Sequence, residues 1–260
     1  MASLATLTQN RGDLAGAEPL CRESLEMRRR LFPGDHPAVA DGLTSLAGLL
    51  QTRGDLAGAE PLWRESLEMR RRLFPDDHLD VANGLNNLAL LLKARGDLEG
   101  AEPLYRESLD MKRRIFRGDH PDLAAGLSNL GSLLQSRGDL AGAEPLYREA
   151  TGMFERTQGR DFWRTGAARM GLGRVLARLN RSSDAEAELV EAARVLSCAQ
   201  GVPAGWHAQC LRWLVSLYES WDKAEPDKGY DAKAAEWKAK LHALTPPSVP
   251  APEQSSRPGG

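Results

Sequence analysis

The sequence predicts an all-α fold, a right-handed superhelical solenoid of antiparallel helix pairs, and two observations support this prediction. The first is an internal repeat of 42 residues, whose opening phrase GDLAGAEPL or GDLEGAEPL begins at Gly12, Gly54, Gly96 and Gly138. Residues 12–53 and 54–95 are identical at 32 of 42 positions. The second is a helical spacing of apolar residues within each copy. Self-similarity at this period is typical of stacked helical units, which bury their apolar faces against their neighbours.

The first predicted helix of a copy is seen in residues 81–94. Its leucines lie at i, i+3, i+6 and i+7, a stripe that suits a helix and not a strand: Leu85, Leu88, Leu91 and Leu92. Arg95 and Gly96 end this helix. Glycine readily adopts the left-handed conformation found after a helix, and arginine in the last turn faces the negative end of the helix dipole.

The second predicted helix runs from Leu98 to about Phe116, with Asp97 as its N-cap. One face of it carries Ala101, Leu104, Tyr105, Ser108 and Leu109. Glutamates come early in this helix and basic residues come late, which complements the helix macrodipole. Pro103 recurs in every copy and predicts a slight bend in the first two turns.

The connector FRGDHPD joins one helix pair to the next. Gly118 supplies the turn, and Asp119 is the predicted N-cap of the following helix. Pro121 fits the first turn, where its missing N–H is not needed.

Three parts of the chain are predicted from how well the repeat persists. Residues 1–157 hold the close copies, of which the first is truncated because residues 1–10 match only the end of a first helix. Residues 158–244 hold a degenerate fifth pair, at 163–179 and 184–198, and a closing pair, at 206–221 and 232–244. Residues 245–260 lack apolar periodicity and are predicted to be disordered.

Composition argues against several classes of protein. The net charge of −2 gives no support for a nucleic-acid or membrane partner held by bulk charge. The three cysteines, Cys21, Cys198 and Cys210, are odd in number and lack CxxC spacing, so neither a disulfide framework nor a zinc site is expected. The N-terminus lacks the features of a signal peptide, and no run of about 18 apolar residues occurs, so we expect a cytoplasmic protein without a membrane partner.

Several phrases of the repeat resemble a known family. Leu88, Ala89, Gly96, Ala101 and Tyr105 match the spacing of the tetratricopeptide repeat. The phrases NNLALLL, GDLEGAEPLYRESL and GDHPDLA resemble its 42-residue, kinesin-light-chain-like class over residues 1 to about 157. The C-terminal phrases CLRWLVSLYESW and AKAAEWKAKL are similar to the closing helices of repeat arrays that follow the kinase domain in bacterial serine/threonine kinases.

Other motifs are better explained by structure than by chemistry. His36, His78 and His120 recur at the repeat period, but neighbouring units lie on the order of 10 Å apart, whereas ligands of one zinc lie about 2 Å from the metal. We therefore predict connector histidines near helix starts and no metal site. The phrase from Gly171 to Gly173 lacks the third glycine of a dinucleotide motif. No paired catalytic constellation occurs, so neither catalytic nor cofactor-binding residues are predicted.

One polar set on the first helices is the predicted binding site. Leu88 and Leu92 belong to the buried stripe, so the other face of this helix must point elsewhere, which in the family's geometry is the inner surface. The residues of that face are Asn83, Asn86, Asn87 and Leu90, with the equivalents Asp41, Thr44, Ser45 and Gly48 before them and Ala125, Ser128, Asn129 and Ser132 after them.

The resemblance implies that an asparagine at the position of Asn87 and Asn129 binds the backbone of an extended peptide, since an amide both donates and accepts hydrogen bonds. Ser45 and Gly171 depart from that pattern. The predicted peptide-binding residues are Asn83, Asn86, Asn87, Leu90, Ser45, Ser128, Asn129 and Ser132. The alternative is a polar face that only keeps the helix solvated.

The sequence therefore predicts a non-catalytic scaffold that binds a protein or peptide in its concave groove. One alternative is the sensor or scaffold segment of a larger signalling enzyme such as a serine/threonine kinase. A less favoured alternative is a nucleic-acid-binding solenoid that uses a basic ridge at residues 28–30, 70–72 and 112–114. Apolar residues at the truncated N-terminal edge also predict weak self-association.

Overall fold

The structure, a computed structural model, describes residues 14–244, and all regular secondary structure in this range is α-helical. Its helices are α1 (Leu14–Leu31), α2 (Pro37–Thr52), α3 (Leu56–Leu73), α4 (Leu79–Ala94), α5 (Leu98–Ile115), α6 (Pro121–Arg137), α7 (Leu140–Gln158), α8 (Trp163–Arg178), α9 (Ser182–Cys198), α10 (Trp206–Ala224) and α11 (Tyr230–Leu244). The predicted helices are present, with ends that agree to within three residues.

The helices pair in chain order, and α1 precedes the first described pair. The even-numbered helices α2 to α10 are the first helices of five pairs, and each packs against the second helix that follows it. Each first helix from α2 to α10 also packs against the second helix of the preceding pair. This arrangement is the predicted all-α solenoid, and its core is a continuous layer between successive helices.

The leucine stripe of the first helices forms the centre of that layer. Leu43, Leu85 and Leu127 occupy one repeat position in α2, α4 and α6, and each is completely buried. Leu88 and Leu92 are also buried, as the helical spacing predicts. Helix α5 passes through Pro103 without a break, and the slight bend there stays a prediction.

The ends of the helices follow the local sequence signals. The side chain of Asp97 accepts a hydrogen bond from the backbone N–H of Gly100 at 2.8 Å, so the predicted N-cap of α5 is confirmed. Gly96 lies just beyond α4 with φ of +86°, a left-handed conformation that favours glycine over other residues. The repeat therefore places the same tight turn in successive units.

The predicted N-cap of α6 is wrong, because the cap is His120 and not Asp119. The His120 Nδ1 accepts a hydrogen bond from the backbone N–H of Asp122 at 3.1 Å. Its ring stacks on Phe116 with centroids 3.6 Å apart. The same stack and cap occur at His36 and His78, so the recurring histidines shape the connectors, in agreement with the structural interpretation.

Asp119 and its equivalents instead join successive units. Arg72 Nε lies 2.6 Å from Asp35 Oδ2, and Arg114 Nε lies 2.6 Å from Asp77 Oδ2. Arg156 forms the corresponding pair with Asp119. We call these three arginine–aspartate pairs the connector ladder. Each pair links the end of one second helix to the connector of the preceding unit, so the ladder runs along one edge of the array.

Some predictions fall on residues that the structure does not describe. The predictions of a truncated first helix at residues 1–10 and of a disordered tail at residues 245–260 concern residues outside the described range. At the described part of the N-terminal edge, Leu14 and Leu20 pack partly buried against the core, while Leu31 is exposed. Self-association through this edge stays a prediction. A bilayer-spanning helix, which would need a long apolar stretch, does not occur among residues 14–244.

Candidate functional site

A cavity of about 410 Å³ lies where the first helices α4, α6 and α8 neighbour one another. Two helices line this cavity with the same four repeat positions. These are Ala125, Ser128, Asn129 and Ser132 in α6, and Ala167, Met170, Gly171 and Arg174 in α8. Asn86 of α4 adds a further side chain. These are the repeat positions that the sequence predicts to face the inner surface. We call this space the inner cavity.

Three asparagine amides connect α4 to α6 at one side of the inner cavity. Asn129 Nδ2 donates to Asn86 Oδ1 at 2.9 Å. Asn86 Nδ2 in turn lies 3.5 Å from Asn87 Oδ1, a weak contact. Asn129 Oδ1 has no partner among the described residues and can accept a further hydrogen bond. The hydroxyl of Ser128, one residue before Asn129, is buried without any hydrogen-bond partner.

Tyr147 of α7 forms the floor between α6 and α8. Its ring lies so close to Gly171 that an added β-carbon there would come within 2.3 Å of Tyr147 Cε1. On the other side, a β-carbon at Gly131 would lie 3.2 Å from the ring. Burial raises the pKa of the Tyr147 hydroxyl, and a hydrogen bond with Ser132 opposes that rise. Glycine at 171 therefore gives the tyrosine room to reach the cavity.

Two cations stand near this tyrosine. The ammonium of Lys93 in α4 donates a hydrogen bond to Ser132 Oγ, so that Lys93, which does not itself line the inner cavity, contacts a residue of its wall. The guanidinium of Arg174 lies over the ring of Trp213 at 4.5 Å from the centroid. Burial, and to a smaller extent repulsion from Arg174, holds the pKa of Lys93 below its ordinary value. Positive charge is therefore concentrated on this side of the inner cavity.

The opposite end of the inner cavity is apolar and aromatic. Trp163 and Trp206 meet edge to face with centroids 5.8 Å apart. Phe154 and Met170 complete this end and are buried. The inner cavity thus offers amides and hydroxyls along one wall, cations beside them and an apolar surface at one end, which is the usual composition of a ligand site.

Sequence profiles identify the family of the chain. A profile described as tetratricopeptide repeat matches residues 1–72, 39–114 and 80–156, and a second profile with the same description matches residues 128–201. These matches extend over more than half of the 260 residues. The chain belongs to the tetratricopeptide repeat family. No curated protein sequence matches it.

Solved structures share the tetratricopeptide repeat fold of this chain. BtubC (BKLC) from P. vanneervenii matches with a TM-score of 0.74 and 22% identity over 94% of this chain and 96% of that one. A kinesin-light-chain-type protein of Podospora anserina with nearly identical TPR-like repeats matches with a TM-score of 0.65 and 18% identity over 76% of this chain and 94% of that one. The pilF protein of Pseudomonas aeruginosa matches with a TM-score of 0.64 and 19% identity over 95% of this chain and 90% of that one. The predicted likeness to kinesin-light-chain-like repeats is confirmed.

The tetratricopeptide repeat units bring half of the predicted site residues together. Four of them line the inner cavity: Asn86, Ser128, Asn129 and Ser132. Asn83, Asn87 and Leu90 occupy the corresponding positions of α4 but lie outside the cavity wall, partly buried. Ser45 of α2 is exposed, and its hydroxyl donates to the Asp41 carbonyl of its own helix at 2.8 Å.

The cations and aromatic residues of this site were not predicted from the sequence. The signal for the cations was a departure from the tetratricopeptide repeat's own pattern. Lys93 stands where other units have Gln51 and Gln135, and Arg174 stands where they have glycine, leucine and serine. Tyr147 holds the repeat position of Tyr105 on the apolar face of the second helix, and that position accounts for the buried ring but not for its hydroxyl at the inner cavity.

The basic run at the end of each second helix is engaged within the array. Arg70 donates to Asp41 Oδ1 at 2.8 Å, and Arg71 donates to Glu107 of the next unit at 2.8 Å. Arg72 belongs to the connector ladder. The ridge therefore consists largely of paired charges, which gives no support to phosphate contacts along it.

Proposed function

We propose that this tetratricopeptide repeat protein is a non-catalytic scaffold that binds an extended segment of a partner protein along its inner surface. The tetratricopeptide repeat fold supports a role in protein–protein interaction in general. The observation that carries the finer proposal is the inner cavity, whose wall repeats the same four positions in α6 and α8. A repeated wall suits a ligand that is itself a chain of repeating backbone groups.

The chemistry of the wall matches an extended backbone. Ser128 keeps a buried hydroxyl without a partner, and Asn129 keeps a free carbonyl oxygen. A peptide bound in an extended conformation presents N–H and C=O groups that the amides and hydroxyls can pair. A buried polar group without a partner is destabilising by about 1–3 kcal/mol, so such a ligand would relieve an existing penalty.

The spacing of the wall predicts the length of the recognised segment. Adjacent first helices lie about 10 Å apart, and an extended peptide advances about 3.3 Å per residue. Equivalent contact points on adjacent first helices, such as α4 and α6, are therefore about three peptide residues apart. The ligand is a short linear motif that crosses two or three units.

A display library of random linear peptides, selected on the purified chain, tests this function. The decisive variant combines Asn86→Ala with Asn129→Ala, because it removes both members of the 2.9 Å hydrogen bond and interrupts only the weak 3.5 Å contact with Asn87. Selected peptides should bind this variant roughly 5- to 150-fold more weakly, which corresponds to about 1–3 kcal/mol.

The matched control for this experiment is Arg113→Ala, an exposed change on the outer basic run. It should leave peptide affinity unchanged. The proposal is wrong if no linear peptide is selected, or if the double variant stays folded by circular dichroism and binds as tightly as the parent. The likeness of the C-terminal helices to kinase-linked arrays stays a prediction that neither outcome addresses.

A further inference from the structure

Three cations around the inner cavity have no anionic partner. Lys93 donates its ammonium to the neutral hydroxyl of Ser132. The guanidinium groups of Arg174 and Arg164 each lie over a tryptophan ring, at 4.5 and 5.1 Å from the centroid. Within residues 14–244, no carboxylate forms an ion pair with any of these three, and the Nε of Arg174 is buried without a hydrogen-bond partner.

Several other arginines of the array do have a carboxylate partner. Arg95, just after α4, and Arg137, the last residue of α6, pair with Glu60 and Glu102 of the preceding second helices. Arg70, on the inner side of the second unit, pairs with Asp41. The repeat thus supplies a carboxylate for each of these three arginines, whereas Lys93, Arg164 and Arg174 have none among residues 14–244.

Burial makes this excess of positive charge unfavourable. Burial lowers the pKa of Lys93, and repulsion from Arg174 lowers it further. Burial is also the largest cause that lowers the pKa of Arg174. Charges in a partly desolvated site interact more strongly than in water, so this cluster gains more from an added anion than an exposed cluster would.

The neutral groups around the cations are hydrogen-bond donors. Ser132 lies between Lys93 and the Tyr147 hydroxyl, and the buried hydroxyl of Ser128 lines the same space. The residues that line the inner cavity include two arginines and no aspartate or glutamate. An anion placed there would meet donors and cations and no opposing carboxylate.

We propose that the inner cavity binds a phosphorylated serine or threonine of an extended peptide, with its phosphate held between Lys93 and Arg174. A phosphate carries a charge of about −1.5 to −2 and three acceptor oxygens. It therefore neutralises the unpaired cations better than the single charge of a carboxylate. Arginine can bind such a group with two parallel hydrogen bonds. This proposal rests on the proposed peptide-binding function.

The apolar end of the inner cavity predicts which kind of residue neighbours the phosphorylated one in the peptide. Trp163, Trp206 and Met170 offer a surface for an apolar side chain next to the phosphorylated residue. A nucleic-acid backbone would place a phosphate at every nucleotide, whereas of the three unpaired cations only Lys93 and Arg174 are close enough for their charges to interact at the inner cavity. The peptide is therefore the favoured source of the phosphate, and RNA is an outcome of the test.

The experiment compares three degenerate peptide libraries that differ only at one fixed central residue, which is phosphoserine, glutamate or serine. Each is passed over the immobilised full chain, and retained peptides are quantified by mass spectrometry. We expect the phosphoserine library to be retained at least about tenfold more than the other two, as charge-assisted contacts to a dianion imply. Lys93→Gln and Arg174→Leu should each abolish that preference.

These two variants use residues that the repeat itself has at the same positions, Gln51 and Gln135 in one case and Leu90 in the other. Both should unfold at the same or a higher temperature than the parent, because each removes an unpaired, partly buried charge. Arg113→Gln, on the outer face, is the matched control and should keep the preference.

Four outcomes overturn the proposal. The first two are equal retention of the phosphoserine and glutamate libraries, and retention of no library. The third is a phosphoserine preference that survives in Lys93→Gln and Arg174→Leu. The fourth is tight binding of single-stranded RNA that depends on those two residues. Equal retention of all three libraries, with loss of binding in the Asn86→Ala and Asn129→Ala variant, would overturn the phosphate proposal and leave the peptide-binding function standing.

Discussion

Gly171 of α8 lies directly against the ring of Tyr147 in α7, and a β-carbon at Gly171 would come within 2.3 Å of Tyr147 Cε1. Successive units have serine, asparagine and asparagine at this repeat position, so glycine here is a departure from the pattern. The close approach explains the departure, because any larger side chain would displace the tyrosine ring.

Gly171→Ala should therefore destabilise the protein by about 1–3 kcal/mol, the usual effect of inserting a methyl group into a packed site. Gly48→Ala is the matched control, since Gly48 also lies inside a first helix and its β-carbon would meet nothing within 4 Å. That change should stabilise the protein by about 0.5–1 kcal/mol. Urea denaturation measures the free energy of unfolding of both variants. Effects of equal size and the same sign would refute this explanation of the glycine at 171.

Lys112 of α5 predicts a second stability effect. Arg28 and Arg70 hold the same repeat position and donate to the backbone carbonyls of Ala38 and Asp80. Lys112 is buried, burial lowers its pKa, and its ammonium makes no hydrogen bond with the described residues.

Lys112→Arg should let a guanidinium reach the equivalent carbonyl of Asp122 and stabilise the array by about 0.5–1.5 kcal/mol. The reverse change, Arg70→Lys, should destabilise it by a similar amount. Thermal unfolding of the two variants measures both effects. A destabilised Lys112→Arg protein would show that the cavity around this side chain is too small for the larger group.

The connector ladder predicts an acid-dependent stability. Hydrogen bonds from Arg72, Arg114 and Arg156 lower the pKa of Asp35, Asp77 and Asp119 below the ordinary value of 3.8. A carboxyl group whose pKa is lower in the folded state contributes stability above its unfolded pKa, and this contribution is lost as the pH falls through the folded pKa.

A triple aspartate-to-asparagine variant of the ladder should therefore be less stable than the parent at neutral pH. The difference should shrink between about pH 5 and pH 2, where the parent's carboxylates become protonated. Unfolding temperatures measured across this range test the prediction. Asp76→Asn, an exposed neighbour of Asp77, is the control and should show no such convergence.

The three cysteines predict a pattern of thiol reactivity. Cys198 is exposed, whereas Cys21 and Cys210 are buried. Burial raises the pKa of the Cys210 thiol to about 12, so the reactive thiolate is scarce as long as the last units stay folded. Brief treatment of the native protein with iodoacetamide should modify Cys198, and peptide mass spectrometry should find Cys21 and Cys210 modified only after denaturant is added. Rapid native labelling of Cys210 would indicate that the C-terminal units open readily.

Features encoded within one unit were predictable from the sequence. The Asp97 cap and the Gly96 turn depend on residues a few positions away, and the leucine stripe depends only on helical spacing. The cap of α6 was predicted wrongly because two contacts decide it together. Phe116 holds the His120 ring in place by stacking, and Arg156, 37 residues away, engages Asp119.

The candidate site, too, was predictable only in the features that the repeat itself encodes. The repeat positions that form the wall of the inner cavity could be identified by aligning the units with one another. The contact of Lys93 with Ser132, 39 residues apart, depends on how neighbouring units are stacked, which no single unit encodes. The cluster around Arg174 was for this reason visible in the sequence only as departures from the repeat, whose meaning required the three-dimensional arrangement.

The connector ladder also determines how the array responds when its ends are pulled. Each rung joins two successive units and none spans further, so a tensile load acts on the rungs in series. Exposed ion pairs are individually weak and re-form when their partners return, while buried leucines such as Leu85 and Leu127 hold the helices behind each rung together. We therefore expect extension to begin with small openings at these three joints, before any one unit unfolds.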